Sequence, residues 1–436
     1  MSKEYYFISD LHIGGDGELQ KCNFEDEIVE FLAELENKEK DTELIIVGDS
    51  FGLWEFTELE GVDKLEELIN HHQRLFNQFR LTGEKIKITI VPGNHDYELA
   101  CYPKFIKRLK DFNITVEPKP STIRRIEDKK IWIEHGMQND ENNRMVDYGN
   151  PHANPLGYFI TRHIVTTAGK QSSLGRYNWL KDLQSVKPLE EIPRWIFSNY
   201  FYREMNLFLR LMALPFLLLF SASVIVVVCS LLEKYGVLSS TIFTDNQIFR
   251  SLGFGFVGDV IDMVIMVNGT IILFLIPLVI PLFLFIRDVK KTIQRFKFYP
   301  DDKLIEKKES RYFKKAKALF AQQPDIKVYV FGHTHHAFIE KLSGGVIINT
   351  GTWLKQLKRI SSRFRLLPDV YYPHYCLNYF TIKKEDEKIA INYYIIEKEA
   401  PPELSLLQRF VIFGRGISKI KAISQKTLID CLYIRL

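Results

Sequence analysis

Five short hydrophobic segments of the sequence end in residue types that bind metal ions. In chain order they are YYFIS, ELIIVG, KIKITIVPG, KKIWIE and KVYVFG, and the residues that follow them are Asp10, His12, Asp49, Asn94, His135, His333 and His335. Carboxylate, imidazole and amide groups are common ligands of divalent cations. His333 and His335 could point the same way, because extended backbone has a period near two. A polar loop could contain one such residue by chance, but five such endings in one chain indicate a composite metal site.

This mixture of side chains suits a pair of metal ions that act together. Two divalent cations about 3.5–4 Å apart need a carboxylate that bridges them, with histidines and oxygen donors at the remaining positions. A hydroxide held between the cations could attack a phosphorus atom in line, while both cations neutralise charge on the phosphoryl oxygens. The residues therefore predict a phosphohydrolase. The alternative is a non-catalytic interaction module built on the same scaffold.

Three helical patterns accompany the first three hydrophobic segments. They cover Phe24–Glu36, Val62–Phe79 and Glu98–Lys110, and each has apolar residues three and four positions apart. Strands that alternate with helices predict a layered α/β or α+β domain. Ligands in such sheets collect just beyond the carboxyl ends of the strands. The sheet would therefore position the polar residues described above.

Composition excludes several other classes of protein. The chain has 436 residues and a formal net charge of +4, which gives no reason to expect nucleic acid as a partner. Its five cysteines are widely spaced, which argues against a disulfide framework and is typical of a reducing compartment. The N-terminus, MSKEYYFISD, lacks the apolar core of a signal peptide. We therefore expect a protein that is not secreted.

Two uncharged segments predict a pair of membrane-spanning helices. Leu211–Leu232 has 22 residues and Met263–Ile286 has 24, so each helix would be roughly 33–36 Å long and could cross a hydrocarbon layer of about 30 Å. The alternatives are two buried core helices or a hairpin that enters only one leaflet. Basic residues flank the outer ends of the pair, and the positive-inside rule places both ends in the cytoplasm. The parts of the chain before and after the hairpin could then form one cytoplasmic domain.

Five motifs in a fixed order resemble those of a known family. The motifs are D-x-H at Asp10, G-D at Gly48, G-N-H-D at Gly93, H-G at His135 and G-H-T-H at Gly332. With these motifs the sequence resembles the calcineurin-like metallophosphoesterases over roughly residues 4–140 and 325–396. The resemblance implies an α+β fold, a four-layer αββα sandwich with a dinuclear site. Here the sandwich would be interrupted by the α-helical transmembrane hairpin.

The resemblance also implies a role for each site residue. One metal would be held by Asp10, His12, Asp49 and His335, and the second by Asp49 as the bridging ligand together with Asn94, His135 and His333. His95 would lie beside the phosphate and protonate the leaving oxygen or stabilise the transition state. Asp96 would orient His95, or alternatively cap the loop before the next helix. Two divalent metal ions are expected, with Mn²⁺ favoured and Fe, Zn or Mg as alternatives.

The loop after the bridging aspartate resembles that of one subgroup. GDSFGLWEF is similar to the G-D-x-F-x-x-W pattern of UDP-2,3-diacylglucosamine pyrophosphohydrolases, although those enzymes commonly carry arginine at the position of His95 and lack a long hairpin. Phe51 and Trp54 could line an apolar wall beside the metals, or they could pack the loop onto the core. Arg162 lies in a segment rich in aromatic and basic residues and is a candidate for substrate binding.

These inferences together predict the organisation of the chain and its function. Residues 1–150 and 301–400 would form the two parts of the metallophosphoesterase domain, 151–205 an interfacial segment, 206–290 the transmembrane hairpin and 401–436 a basic amphipathic tail. The protein would hydrolyse a lipid phosphate or lipid-linked diphosphate at the cytoplasmic leaflet, with the membrane and its lipids as partners and a homodimer through the hairpin. The alternative is a tethered enzyme with soluble nucleotide or phosphoprotein substrates. The basic stretch Lys303–Phe320 and the tail from Leu404 could lie on an anionic membrane face or in solvent.

Overall fold

The computed structural model describes residues 3–167, 182–186, 191–295, 302–363, 367–399, 404–413 and 423–430. Within this part of the chain, seven strands form the first sheet in the spatial order β14–β13–β12–β1–β2–β3–β4. Their bounds are β1 Glu4–Ile8, β2 Thr42–Val47, β3 Lys87–Val91, β4 Ile114–Val116, β12 Leu377–Glu385, β13 Lys388–Ile396 and β14 Lys426–Asp430. Strands β1 to β4 are parallel, and β12 to β14 continue the sheet in antiparallel pairs.

A second sheet of five strands faces the first. Its order is β5–β6–β7–β9–β8, and the bounds are β5 Thr122–Ile126, β6 Lys129–Ile133, β7 Ile326–Phe331, β8 Phe338–Leu342 and β9 Gly345–Asn349. The central pair, β6 and β7, is parallel although the two strands lie on opposite sides of the hairpin in the sequence. A separate two-stranded ribbon pairs β10 Gln356–Ile360 with β11 Val370–His374.

Twelve α-helices are described in these ranges. They are α1 Glu25–Leu35, α2 Asp63–His71, α3 Gln73–Gly83, α4 Glu98–Cys101, α5 Pro103–Lys110, α6 Leu156–Ile160, α7 Ile192–Asn199, α8 Leu207–Lys234, α9 Ile248–Ser251, α10 Gly255–Arg295, α11 Asp302–Gln322 and α12 Leu406–Val411. The predicted pattern over Val62–Phe79 is divided into α2 and α3 at His72. Likewise the pattern over Glu98–Lys110 is interrupted before Pro103, which occupies the first turn of α5, where proline fits.

Three hydrophobic clusters define the order of the layers. The first packs α1, α2, α3 and α5 onto the outer face of the seven-stranded sheet. The second lies between the sheets and includes Phe7 and Ile45 from one and Ile133 and Val328 from the other. The third packs α11 against the outer face of the five-stranded sheet. The inner strands are covered on both faces. Each fully buried aliphatic or Phe side chain contributes about 1.5–3 kcal/mol to the free energy of folding, so this burial stabilises the positions of the strand ends. The layers run helix, sheet, sheet, helix.

Helices α8 and α10 form an apolar hairpin that the rest of the described chain leaves mostly exposed. Leu207–Lys234 and Gly255–Leu275 are long and apolar enough to cross a membrane, and an apolar stretch of 18 residues within each is only 12% and 22% buried. A core helix of a soluble domain would be mostly buried, so that alternative does not describe these helices. Asp262 closes the connection, because its carboxylate accepts bonds of 3.1 Å from the N–H groups of Phe249 and Arg250.

The structure adds detail to two expectations for the C-terminal part of the chain. The stretch Lys303–Phe320 forms most of α11, and its apolar residues Tyr312, Ala316 and Phe320 pack on the second sheet instead of lying on a membrane. The region 401–436 is not only an amphipathic tail, since Lys426–Asp430 adds strand β14 to the edge of the first sheet. Its alternating pattern allows Ile429 to pack against the core between the sheets.

Candidate metal centre

The predicted ligands converge because their strands are neighbours. Strands β1, β2 and β3 are parallel and adjacent, so the residues after them emerge at one edge of the first sheet. Strands β6 and β7 are likewise parallel in the facing sheet, and they bring His135 and His333 to the same end of the sandwich. All seven residues predicted as metal ligands lie in one connected cluster, within which polar atoms approach to 3.1–3.9 Å.

One group of ligands consists of Asp10, His12 and His335. The Nε2 atoms of His12 and His335 are 3.1 Å apart, and His335 Nε2 lies 3.2 Å from Asp10 Oδ1. One ligand atom from each of the three side chains can be chosen so that all lie within 4.8 Å of one another. A single cation between them could therefore contact all three.

A second group consists of Asp49, His135 and His333, with Asn94 beside them. His135 Nδ1 donates to the carbonyl oxygen of Val47 at 2.8 Å, which leaves the lone pair of neutral His135 on Nε2. That atom faces Asp49 Oδ2 and Asn94 Oδ1, both at 3.1 Å, and His333 Nδ1 at 3.3 Å. Either a proton on Nε2 or a cation among these atoms would offset the repulsion between the lone pair and the two oxygens, so the donor set fits a divalent cation.

Asp49 connects the two groups. Its Oδ2 lies 3.1 Å from His135 Nε2 and 3.6 Å from His12 Nε2, while its Oδ1 accepts the backbone N–H of His95 at 2.8 Å. One oxygen is thus placed between the two histidines that belong to different groups. This is the position that a bridging carboxylate needs.

The site is electrostatically prepared for cations. Burial alone would raise the pKa of the Asp10 carboxyl, but the adjacent His335 ring lowers it below its ordinary value. Burial alone would lower the pKa of His135, whereas Asp49 beside it raises that pKa to about 10. Both shifts reflect buried carboxylates that attract positive charge, and a metal ion would supply the same charge.

Five of the seven predicted ligands have a strained backbone conformation, which hydrogen bonds from neighbouring loops maintain. Asp10, His12, Asp49, His333 and His335 all have positive φ angles, between 45° and 69°, which cost non-glycine residues of order 1–3 kcal/mol each. Hydrogen bonds between the loops that follow the strands hold this conformation, for example from His12 N to Asp49 O at 2.9 Å. Such strain concentrates at functional sites because the turns direct side chains into a shared space.

Two motif glycines leave room for ligands from other strands. A Cβ atom on Gly48 would lie 2.3 Å from His135 Nδ1, and one on Gly93 would lie 2.2 Å from Asp49 Oδ1. Gly48 also has a φ of +83°. Glycine is therefore required at Gly48 and Gly93 because another side chain lies too close for a Cβ atom. At Gly48 the positive φ angle of the turn is a second reason.

His95 lies beside the metal groups and is held by a residue that the sequence analysis missed. Its ring is 4.4 Å from the His12 ring, and its Nδ1 is 2.7 Å from Glu55 Oε1. Burial opposes ionisation of Glu55, but His95 lowers the pKa of that carboxyl to about 2. Glu55 is therefore ionised and fixes the orientation of His95. It follows Trp54 in the quoted loop, so an acidic residue close to the bridging aspartate was the available signal.

The predicted role of Asp96 as the residue that orients His95 is not what the structure shows. Its carboxylate instead accepts the backbone N–H groups of Gly93, at 2.6 Å, and of Ser50, at 2.7 Å. Burial and the nearby Asp49 raise the pKa of Asp96 to about 6. Asp96 thus joins the two loops that carry Asp49 and Asn94, which corresponds to the alternative of a loop cap.

The predicted substrate-binding residues have mainly structural contacts. Phe51 is 1% exposed and stacks on Phe76, so it belongs to the core. Trp54 is also buried, and its ring lies 4.6 Å from the His95 ring, which it supports. The Arg162 guanidinium bonds to Glu60 and to the Tyr158 hydroxyl. An apolar wall at Phe51 and a substrate contact at Arg162 are therefore not supported by their positions.

Asp140 is a further residue that the sequence analysis missed. Its Oδ2 lies 3.1 Å from His333 Nε2, on the opposite side of the ring from the Nδ1 that faces His135. A carboxylate at this position fixes the tautomer of a ligating histidine and increases its basicity. Asp140 follows His135 by five residues on a loop, and none of the five motifs includes it.

Comparison with known proteins identifies the class. The family model described as Calcineurin-like phosphoesterase matches residues 4–213. This part of the chain is similar to the calcineurin-like metallophosphoesterases, which are metal-dependent hydrolases of phosphoesters. The match ends within α8 and does not include His333 and His335, which the structure places at the same site.

Similarities to individual proteins are weak. No curated protein gives a significant match. Among solved structures, a conserved uncharacterized protein from Streptococcus pneumoniae TIGR4, titled a predicted phosphoesterase, is 9% identical, with 93% of this chain and 95% of that chain covered and a TM-score of 0.27. Vacuolar Protein Sorting 29 from Cryptosporidium parvum is 10% identical, with 91% and 92% covered and a TM-score of 0.27.

Proposed function

We propose that this metallophosphoesterase is anchored in a membrane by the α8–α10 hairpin and hydrolyses a lipid phosphate or a lipid-linked diphosphate at the cytoplasmic leaflet. The observation that carries the proposal is an uncovered apolar hairpin inserted between the two halves of a metal site. Its helices return the chain to the side on which it began. The ligands at the end of β6 and those at the end of β7 can therefore meet without crossing the bilayer.

Apolar surface beside the hairpin supports contact with lipid. The short helix α12 packs Leu407 and Val411 in a cluster with the start of α8, yet Leu406 and Phe410 on its other side are 84% and 63% exposed. Residues four apart lie on one face of a helix, so these two form an apolar stripe. A bilayer that surrounds α8 would also cover this stripe.

Apolar surface also lies close to the reaction centre. Tyr158, at the start of the segment 156–165, contacts Trp54 edge-on at 5.6 Å, and Trp54 supports His95. The same segment exposes Phe159 and Ile164, at 49% and 62%. We assign this surface to the acyl part of the substrate, with the phosphate at the metal groups.

The residues around the phosphate would divide the chemical work. When bound, two cations would neutralise charge on the phosphoryl oxygens and strengthen water as a nucleophile. Asp10, His12 and His335 would hold one cation, and Asn94, His135 and His333 the other, with Asp49 shared. Glu55 keeps a proton on His95 Nδ1, so Nε2 can carry the second proton of the imidazolium and transfer it to the leaving oxygen.

The first test is substrate preference of the full-length protein in detergent with Mn²⁺. We expect two cations per chain, and a higher kcat/KM for a phosphorylated lipid or a lipid-linked diphosphate in mixed micelles than for the same headgroup on a short soluble chain. Equal turnover of the two forms would instead support a tethered enzyme with soluble substrates. Absence of hydrolysis of every phosphoester, with two cations bound, would contradict the proposed activity.

The second test is the topology of the hairpin. In a chain whose native cysteines are replaced by serine, Ser239→Cys on the exposed α8–α10 connection should react with a membrane-impermeant maleimide applied to intact cells. Lys317→Cys on the exposed side of α11 is the matched control, and it should react only after permeabilisation. If both cysteines require permeabilisation, the hairpin enters one leaflet and does not cross.

A further inference from the structure

Helix α11, the first described element after the hairpin, contacts the loop that carries a metal ligand. We call residues 134–141 the His135 loop. Lys315 on α11 donates to both carboxylate oxygens of Glu134, at 2.6 and 2.7 Å, and Arg311 lies 3.2 Å from Glu141 at the other end of the loop. Between them, Tyr312 approaches Gly136 so closely that an added Cβ would lie 3.2 Å from its ring. Three residues on one side of the helix therefore hold the loop at its start, middle and end.

Glu134 is the most strongly bonded residue of the loop. It is 3% exposed, and besides Lys315 it accepts bonds from the Tyr329 hydroxyl at 2.6 Å, the Trp132 indole N–H at 2.9 Å and the Asn139 amide at 3.0 Å. A buried carboxylate loses its hydration, and hydrogen-bond donors together with a cationic partner compensate for that loss. Lys315 supplies that charge from a separate layer of the fold.

The conformation of the His135 loop determines the positions of two residues at the second group of ligands. His135 directly follows Glu134, and Asp140 on the same loop contacts His333 Nε2 at 3.1 Å. The first group is held by other parts of the chain, because Thr352 Oγ1 donates to the Asp10 carbonyl at 2.6 Å and Gln356 donates to the His335 carbonyl at 2.9 Å. Helix α11 is therefore connected to one of the two groups of ligands.

We propose that Glu134 and Lys315 are a positioning pair through which helix α11 fixes His135 and Asp140 for cation binding. The affinity of the Asp49–His135–His333 group then depends on a helix that follows the hairpin, and the affinity of the Asp10–His12–His335 group does not. The proposal rests on the metal centre proposed above and adds to it a structural connection between the hairpin side of the chain and one cation.

The test is a calorimetric titration of metal-free, full-length protein in detergent with Mn²⁺. Wild type should bind two equivalents. Lys315→Met should weaken one binding event by about 10- to 100-fold, the usual effect of removing a residue that supports a ligand, and leave the other unchanged. Lys315→Arg, which retains the charge, should restore the affinity. Lys317→Met removes the same charge from an exposed position of α11 and should match wild type.

The outcomes separate this proposal from the one on which it rests. Wild type that binds fewer than two equivalents refutes the metal centre itself. With two bound by wild type, equal affinities in Lys315→Met and wild type overturn the pairing, as does a similar loss at both events. If metal-free Lys315→Met melts at a much lower temperature than wild type, its loss of affinity could come from general destabilisation. The double variant Glu134→Gln/Lys315→Met, which leaves no unpaired buried charge in this pair, separates the two explanations. It should fold and still lose affinity at one event only.

Discussion

Substitution of Asp49 by Asn is expected to abolish phosphoesterase activity and to reduce the bound metal below two cations per chain. Asn can retain the bond from His95 N–H through its Oδ1, but a neutral amide replaces the Oδ2 that lies 3.1 Å from His135 and 3.6 Å from His12. A metal contributes several kcal/mol to stabilisation of the transition state, and a loss of about 4 kcal/mol corresponds to roughly a thousandfold in rate. Steady-state kinetics and metal analysis of the purified variant are the measurements.

A control at the other end of the same strand separates local from general effects. Asp41 is exposed and immediately precedes β2, whereas Asp49 lies just beyond its carboxyl end. Asp41→Asn should retain wild-type activity and metal content. An Asp49→Asn enzyme with two bound cations and more than a tenth of wild-type activity would show that this carboxylate is not the bridge.

Replacement of His95 by Asn should lower kcat by about 10²- to 10⁴-fold, the range that general acid catalysis contributes, while both cations stay bound. The loss should be larger for an alkyl phosphate than for p-nitrophenyl phosphate, because a good leaving group departs without protonation. Glu55→Gln should reproduce this dependence with a smaller loss, about 10- to 100-fold, since Glu55 acts through His95. The measurement is kcat for both substrates in each variant.

Exposed Glu84→Gln provides the comparison for a carboxylate remote from the site, and it should behave as wild type. A His95→Asn loss that is the same for both leaving groups would show that His95 stabilises the charged transition state and does not transfer the proton. A Glu55→Gln enzyme with unchanged kcat would contradict the positioning role inferred from the 2.7 Å contact.

The ligands could be predicted because each motif at the end of a strand contains a ligand together with a residue that determines the local backbone or packing. In G-D and G-N-H-D the glycine leaves space for a ligand that follows another strand. Each motif therefore contains both a ligand and the glycine that lets a second ligand approach it. The layered fold followed from hydrophobic strands alternating with helices. These signals are local in sequence and survive a long insertion, which is why His333 and His335 could be assigned to the site.

Other contacts could not be predicted because they depend on where loops turn. Asp96 is close to His95 in sequence, yet its carboxylate turns toward the N–H groups of Gly93 and Ser50, and Glu55 from another loop reaches the imidazole. Phe51 shares a loop with Trp54, but it points into the core. The direction of a side chain in an irregular segment depends on tertiary packing, and local patterns in a single sequence do not predict it.

The split arrangement of the site has a consequence for biosynthesis. His135 and His333 are 198 positions apart, and a ribosome that adds about 5–20 residues per second needs roughly 10–40 s to travel from one to the other. Both apolar helices are translated within that interval. The nascent enzyme therefore cannot complete its cation-binding pocket before both helices of the hairpin have been synthesised.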